Sequence, residues 1–476
     1  MVFSSVSFLF VFLPVTLLLY FLPVTKKHTK ADMMRKNIVL LCASLVFYAW
    51  GEPIYVFLML LSVLFNYVIG LDIERTENEK VRKVILIVAV VFNLFVIGFF
   101  KYYGFLVETI NSITGLDISY KTLALPVGIS FYTFQILSYV IDVYRRKVPA
   151  QSNIISFALY ITLFPQLIAG PIEQYSNIAE QLSNRTETFE KFADGIIVFM
   201  RGFARKMLLA NLAGAAFQSA LTPGVENMAA VTSWFAVVFY AMQVFFDFSG
   251  YSDMALGLGK MFGFKLTQNF RYPFYADSIS DFWRRWHITL GAWFRDYVFI
   301  PLGGSRKGPV RTLINSSIIW FLTGLWHGAA WNFVIWGLYF GLVAILERQF
   351  LRERLKKWPA WLRRVYTILA HSPSWMIFYW PTFGEQLTYF KTMLFMGDGI
   401  WNGETTYYLT TNFFLLVILV FCSVPAAKSI ADNVIRPKCS ETTYLVLRFV
   451  LWVAIFFVSV AFLISDSYNP FMYFRF

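Results

Sequence analysis

The sequence predicts an all-α polytopic membrane protein, and its composition and apolar stretches are what lead to that fold class. Of its 476 residues, 58% are hydrophobic and 20% are aromatic, and the mean hydropathy is +0.58. Apolar stretches recur from one end of the chain to the other, which soluble globular proteins do not show. Because no polar segment is long enough for a soluble domain, we expect a single integral-membrane domain over 1–476. Its predicted parts are N-terminal helices (1–123), a core (124–347) and C-terminal helices (348–476).

The net charge of +13 would suggest a nucleic-acid partner in a soluble protein. Here the lysines and arginines lie between apolar segments, as the positive-inside rule expects, so the predicted partner is the lipid bilayer and not nucleic acid. The three cysteines, Cys42, Cys422 and Cys439, are scattered and form neither a metal-binding spacing nor a disulfide framework. We therefore expect no metal and no permanently bound cofactor.

The first apolar elements lie between residues 7 and 121. Residues 7–24 lack a basic n-region and a small-x-small cleavage site, so they predict an uncleaved span with the N-terminus outside. The turn signal Trp50-Gly-Glu-Pro53 divides 38–70 into a hairpin of two spans. Residues 84–100 predict a further span, and 106–121 a short polar segment at the outer face.

The central elements begin with a span over 123–143, which ends at the basic residues Arg145 to Lys147. Residues 154–169 are short for a crossing at ~1.5 Å per residue, which favours a re-entrant segment. An amphipathic segment over 192–216 and an apolar segment over 230–248 follow.

Residues 281–297 predict an amphipathic helix at the membrane interface. At about 100° per residue, the large aromatic side chains, among them Trp283 and Trp286, fall on one face, and Arg284 and Arg285 lie elsewhere. His287 projects beside the aromatic stripe, so we expect it to point toward protein or membrane. A structural histidine would also fit there.

The stretch 312–346 is longer than one crossing of about 20 residues and has basic residues on both sides. It predicts a segment that enters and returns, with its turn near Thr323 and Gly324 and with His327 near mid-membrane. An ionisable group at that depth is costly and is usually retained for function, although a packing histidine in a helix bundle is an equal alternative. Gly324 and Gly328 have the Gly-x-x-x-Gly spacing that allows close approach to the backbone.

Three apolar runs complete the chain, over 368–380, 413–427 and 444–464. The charge rule places the basic loops at 26–36, 145–147 and 348–364 in the cytoplasm and both termini outside. The chain contains neither the Gly-x-Ser-x-Gly nucleophile elbow nor a common phosphate-binding glycine loop. From the residues alone, an acyltransferase and a transporter with a histidine proton relay fit about equally, and a non-catalytic scaffold remains open.

Six motifs carry a resemblance to a known family. They are Met1-Val-Phe-Ser-Ser5, Asn269-Phe-Arg-Tyr-Pro273, Asp281-Phe-Trp-Arg-Arg-Trp-His-Ile-Thr-Leu290, Asp296-Tyr to Pro301-Leu-Gly-Gly304, Gly324-Leu-Trp-His-Gly328 and Pro470-Phe-Met-Tyr-Phe-Arg-Phe476. With these, the whole chain resembles the membrane-bound O-acyltransferase (MBOAT) family. The resemblance is to the branch of the alginate O-acetylation membrane component and related cell-wall polysaccharide O-acetyltransferases.

The resemblance implies a ring of about 11 transmembrane helices, with re-entrant and interfacial helices, around a thinned central funnel in the cell membrane. It implies that His327 is the catalytic centre, with His287 as the second histidine, and that an acyl group passes from a cytoplasmic thioester to an extracytoplasmic acceptor. Acetyl-CoA is the expected donor, and Arg284 and Arg285 are candidates to hold its phosphates, with headgroup anchoring as their alternative role.

The expected final acceptor is a surface polysaccharide. A separate extracytoplasmic SGNH-type acetyltransferase is the partner that the resemblance implies, because this chain offers no outer domain of its own. The segment Pro381 to Tyr408, aromatic and weakly charged, is the candidate docking surface, and a re-entrant turn is its alternative. The sister branch that D-alanylates teichoic acids is the alternative function.

Overall fold

The computed structural model describes residues 1–24 and 29–465, and all regular secondary structure in these ranges is helical. The predicted all-α class is therefore confirmed. Two predicted features, the basic residues 26–28 and the motif at 470–476, lie outside the described residues. Within the described ranges, six helical stretches are long and apolar enough to cross a bilayer: Tyr55–Arg75, Glu79–Thr114, Ala230–Met261, Trp331–Leu355, Gly403–Ser423 and Glu441–Ser465. The fourth consists of two α-helices joined by the π-helical segment Glu347–Leu351.

The chain divides into two compact units, and the first comprises Met1–Phe199 and Tyr251–Thr267. Helices α9 (Phe189–Ala204) and α11 (Ala230–Met261) contribute to both units. The other helices of the first unit are α1 (Phe8–Phe21), α2 (Lys30–Ala49), α3 (Tyr55–Arg75), α4 (Glu79–Thr114), α5 (Ile129–Tyr144), α6 (Ile154–Thr162), α7 (Phe164–Leu167) and α8 (Tyr175–Ser183).

The first unit agrees with the sequence at its N-terminal hairpin and departs from it at α4. Helices α2 and α3 are separated by residues 50–54, at the predicted turn. Helix α4 continues through most of the predicted polar segment and ends only at Gly115, whose φ of 71° is the left-handed conformation common after a helix. The polar residues 106–114 are thus helical, because nothing in them breaks a helix. Helix α6 has nine residues, too few to cross a bilayer.

The second unit comprises Met200–Gly250 and the chain from Gln268 onward. Its helices, besides the shares of α9 and α11, are α10 (Asn211–Leu221), α12 (Ile279–Arg285), α13 (Ile288–Phe294), α14 (Gly308–His327), α15 (Trp331–Leu346), α16 (Arg352–Leu355), α17 (Ala360–Tyr379), α18 (Phe383–Lys391), α19 (Gly403–Ser423), α20 (Ala426–Ile430) and α21 (Glu441–Ser465).

An aromatic and aliphatic cluster joins α12, α15 and α17 in the second unit. Its buried members are Ile279, Phe333, Trp336, Phe340, Ile377 and Phe378, and Trp283 packs against them. Burying a side chain of this size contributes about 1.5–3 kcal/mol of hydrophobic free energy, so the cluster fixes these three helices relative to one another. His287 follows α12 by two residues, and His327 precedes α15 by four, so both candidate histidines are adjacent in the chain to helices of this cluster.

Candidate active site

His327 lies at the tip of a helical hairpin formed by α14 and α15. Helix α14 ends at His327, the chain turns over residues 328–330, and α15 begins at Trp331. The hairpin predicted from the sequence is confirmed, but the turn predicted near Thr323 and Gly324 is wrong by about one helical turn. The reason is that Gly324 serves packing: a Cβ there would collide with the carbonyl oxygen of Phe333 on the opposite helix.

The imidazole of His327 is 5% exposed and is surrounded by aromatic rings. Its ring centroid lies 5.1 Å from that of Trp326, 4.8 Å from that of Trp336 and 5.6 Å from that of Phe378, all edge-on. Such surroundings exclude water and lower the local dielectric, which strengthens any electrostatic interaction made there. The predicted burial of His327 is confirmed.

The predicted amphipathic helix over 281–297 is wrong as one continuous element. The structure has two short helices, α12 and α13, and the break between them falls on Trp286 and His287. His287 has φ 45° and ψ 52°, a left-handed conformation that costs a residue with a side chain about 1–2 kcal/mol. Strain of this kind persists only where the surrounding structure imposes it.

Asn269 imposes this break through four contacts to residues 287–289. Its backbone oxygen accepts a hydrogen bond from the amide of Ile288 at 3.0 Å. Its side-chain Oδ1 accepts from the amide of Thr289 at 3.2 Å and from the Thr289 hydroxyl at 3.0 Å, and lies 3.2 Å from Nδ1 of His287. Asn269 is fully buried. These contacts turn the His287 side chain into the protein, where it is 2% exposed.

The structure brings the two histidines to the same place. The indole of Trp326 touches both rings, with centroids 5.6 Å from His287 and 5.1 Å from His327. Burial, and secondarily the electrostatic influence of His327, hold the pKa of His287 well below its ordinary value of 6.5. With its pKa lowered in this way, the His287 imidazole is neutral at physiological pH.

Arg284 and Arg285 occupy the C-terminal turn of α12. Nε of Arg285 donates to Asp281 Oδ2 at 2.9 Å, and the Arg285 side chain is 29% exposed. The Arg284 side chain is 72% exposed, and its guanidinium lies 3.7 Å from the Asp281 carboxylate. Arg284 is thus the more accessible of the two predicted phosphate ligands.

Arg284 also lines a cavity of about 780 Å³ in the second unit. Two acidic residues of the cavity are engaged: Glu347 accepts from the amides of Ile279 and Ser280, and Asp277 pairs with Arg363 and Arg364. The cavity therefore has a net positive lining that suits an anionic ligand. Its basic residues are Arg284, Arg348, Arg352, Lys356 and Arg363.

Two residues of this site escaped the sequence reasoning, Asn269 and Phe248. Phe248 of α11 packs edge-on against His287, with centroids 4.8 Å apart. In the sequence, Asn269 stands out only as the first residue of the motif Asn269-Phe-Arg-Tyr-Pro273. The single signal for it was a polar side chain opening an otherwise aromatic and basic stretch, and nothing in the sequence connects that side chain to His287, 18 residues later.

Comparison with known proteins finds one family match and several similar proteins. Residues 145–383 match the model of the MBOAT, membrane-bound O-acyltransferase family, and this range contains both histidines. The chain is 35% identical over 499 aligned positions to "Probable alginate O-acetylase AlgI" of Pseudomonas putida, covering 100% of each protein. It is 32% identical to "Peptidoglycan O-acetyltransferase" of Helicobacter pylori, covering 74% of this chain and 71% of that protein.

A more distant similarity is to "Teichoic acid D-alanyltransferase" of Bacillus subtilis, at 30% identity over 51% of this chain and 64% of that protein. The match to the family covers half of the chain, and the relative from Pseudomonas putida extends the likeness to its whole length. Together with the long apolar helices, these similarities make the chain a multi-pass membrane protein and an acyltransferase. It belongs to the membrane-bound O-acyltransferase family.

Proposed function

We propose that this protein transfers an acetyl group from cytoplasmic acetyl-CoA across the cell membrane to a hydroxyl acceptor, and so O-acetylates an extracytoplasmic surface polysaccharide. The observation that carries the proposal is the meeting of two buried histidines, His287 and His327, against one indole, that of Trp326. Full-length similarity to a relative named as an alginate O-acetylase supports the acetyl group and the polysaccharide.

The chemistry follows from an imidazole in an apolar pocket. Acyl transfer needs a base for the proton of the acceptor hydroxyl, and histidine titrates in the useful range. His327 takes that proton while the hydroxyl oxygen bonds to the acetyl carbonyl carbon. The carbon–sulfur bond then breaks, and the proton passes to the departing thiolate, so that free coenzyme A leaves. His287 assists from the other side of Trp326.

The donor site that we propose is the basic cavity beside α12. Coenzyme A carries several phosphate charges, and arginine binds phosphate through paired, charge-assisted hydrogen bonds. Arg284 is exposed on this cavity and stands three residues before His287 in the chain. Arg285 is hydrogen-bonded to Asp281, and in this proposal it supports Arg284 by holding the helical turn that carries both arginines.

We propose that the finer features of the family also apply here: the ring of about 11 helices around a funnel, and a single domain divided at residues 123 and 347. We further propose that an SGNH-type partner docks on Pro381 to Tyr408. This segment is not purely a loop, since it contains α18 with a capping box at Thr382. Exposed apolar side chains after that helix, such as Phe395 and Trp401, give a partner something to bind.

Reconstitution in liposomes tests the proposal. The protein is inserted in the liposome membrane and acetyl-CoA is enclosed inside. A soluble polysaccharide and the partner are supplied outside. We expect free coenzyme A inside and acetylated polymer outside, both lost in His327→Ala. Export of intact acetyl-CoA would instead indicate a transporter. Transfer only from a D-alanyl thioester would indicate the teichoic acid branch, and polymer acetylation without the partner would contradict the relay.

A further inference from the structure

The contacts of Asn269 determine which nitrogen of His287 is available for chemistry. Thr289 presents a backbone N–H to the Asn269 side chain at 3.2 Å, and a backbone N–H can only donate. The atom that faces it must therefore be the carbonyl oxygen of the amide, so the orientation of this amide is fixed by its partner. The same oxygen also receives the Thr289 hydroxyl, at 3.0 Å.

Nδ1 of His287 lies 3.2 Å from that oxygen. An oxygen acceptor and an unprotonated ring nitrogen cannot share a hydrogen bond, so Nδ1 carries the hydrogen. A neutral imidazole has only one N–H, which leaves the lone pair on Nε2. Nε2 is buried and has no hydrogen-bond partner among the described residues, and the rings of Phe248 and Trp326 pack against the imidazole.

We infer that Asn269 is a positioning residue that holds His287 in the Nδ1–H tautomer, so that Nε2 is the nitrogen that accepts a proton or hydrogen bond at the site. The inference rests on the proposed acyl transfer for its purpose, but the tautomer can be measured without any reaction. The left-handed backbone at His287 has the same cause, because the contacts of Asn269 to residues 287–289 hold both the ring and its backbone.

A purely structural role for Asn269 is the alternative, and two substitutions separate the roles. Asn269→Asp keeps an oxygen acceptor toward all three groups but adds a negative charge beside the ring. We expect plateau activity within a few-fold of wild type and an acidic limb of kcat moved to higher pH, because a neighbouring carboxylate favours imidazolium. His327 is the titratable group that already interacts with His287, and it is unchanged.

Asn269→Leu removes the acceptor while keeping the volume. We expect kcat to fall at least tenfold with little change in KM, since outer partners that orient a histidine typically matter by that much or more. The matched control is Asn315→Leu, at an equally buried asparagine whose Nδ2 donates to the carbonyl oxygens of Leu302 and Gly304. The control should lower stability and leave kcat per folded molecule unchanged.

The deciding measurement is nitrogen-15 NMR of the full-length protein labelled at histidine. The chain has four histidines, and the signals of His287 are those lost in His287→Gln. Between about pH 6 and pH 8 we expect a protonated Nδ1 and an unprotonated Nε2 in wild type, and a mixture of tautomers in Asn269→Leu.

A hydrogen on Nε2 in the wild-type protein would overturn the inference even if acyl transfer is active. The expected tautomer in a protein that transfers no acyl group would instead leave the inference standing and remove the proposed function. If Asn269→Leu does not fold, the wild-type spectrum and the pH profile of Asn269→Asp still decide. An unshifted profile in Asn269→Asp would count against positioning.

Discussion

The imidazole of His327 packs edge-on against the indole of Trp336, with ring centroids 4.8 Å apart. The first residue ends α14 and the second lies in the second turn of α15, so this contact joins the two legs of the hairpin. The position of the His327 imidazole therefore depends on how closely the two legs approach each other. Glycines set that approach.

We predict that Gly324→Ala disrupts the site. The new Cβ would collide with the carbonyl oxygen of Phe333, and a backbone atom cannot move aside as a side chain can. We expect a loss of about 1–3 kcal/mol in stability, as for other overpacked positions, and a larger proportional loss of kcat. Thermal unfolding in detergent and coenzyme A release measure the two effects. Gly291→Ala, where a Cβ meets nothing within 4 Å, is the control and should retain both.

We predict that His327→Ala abolishes acyl transfer while the protein stays folded, because His327 is the base of the proposed transfer and His287 only assists it. The measurement is coenzyme A release together with the elution profile of the purified variant. His371→Ala is the matched control: that histidine is also 5% exposed and packs among aromatic rings, with Phe282 at 4.0 Å. The control should keep its activity. An unfolded His327→Ala beside a folded control would favour the packing role.

We predict that His287→Gln lowers kcat and also flattens the dependence of stability on pH. In the folded protein the pKa of His287 is well below 6.5, whereas the unfolded chain binds a proton at about that pH. His287 therefore does not destabilise the fold above pH 6.5. As the pH falls from 6.5 toward the lowered pKa, the unfolded chain binds a proton that the folded protein does not, and stability is lost. Denaturation at several pH values should show a smaller acid loss in the variant. Equal losses, or unchanged kinetics with acetyl-CoA, would remove His287 from this role.

We predict that Arg284→Ala raises KM for acetyl-CoA at least about tenfold with little change in kcat, since a charge-assisted contact to phosphate is worth about 1.5–3 kcal/mol. The wild-type enzyme should show a similar rise with acetyl-dephospho-CoA, and the variant should be insensitive to that change of donor. Arg354→Ala, an exposed arginine on α16 that does not line the cavity, makes the same change in net charge. An equal effect of both variants would mean that Arg284 acts through the positive charge of the surface and not through a contact with a phosphate.

We predict that the basic segment 348–364 faces the cytoplasm and that Pro381 to Tyr408 faces outside. In a variant lacking Cys42, Cys422 and Cys439, a cysteine placed at Lys356 should react with impermeant reagent only after the membrane is opened. A cysteine at Gly403, which is exposed at the start of α19 and where a Cβ meets nothing within 4 Å, should react in intact cells. The reverse pattern would overturn the predicted orientation of the hairpin.

The sequence was sufficient for the helical class, for the α14–α15 hairpin and for the burial of both histidines. It failed at particular residues for physical reasons. Gly324 reads equally well as a helix break and as a packing residue, and only the opposite helix decides between them. The aromatic stripe through Trp283 and Trp286 fits an unbroken helix, because a left-handed histidine has no local signature.

The break at His287 is instead dictated by Asn269, a contact between segments that periodicity cannot reveal. The sequence was also insufficient to separate the roles of the two arginines beside the basic cavity. Arg284 and Arg285 look equivalent in sequence, and only the ion pair of Arg285 with Asp281 separates the exposed arginine from the held one. Local patterns thus predicted that both histidines are buried, and tertiary contacts determined how each side chain is oriented.

Under the proposed transfer, the length of α14 bears on how far the acyl group travels. From Arg311 near its start to His327 at its end the helix advances 16 residues, a rise of roughly 24 Å at 1.5 Å per residue. A bilayer's hydrocarbon layer is about 30 Å thick. For a helix that stands along the membrane normal with Arg311 at one leaflet, the imidazole would lie nearer the opposite leaflet than the mid-membrane depth that the sequence predicts. The donor's long pantetheine arm would then cover most of the distance, and the acceptor hydroxyl would have only a shallow descent.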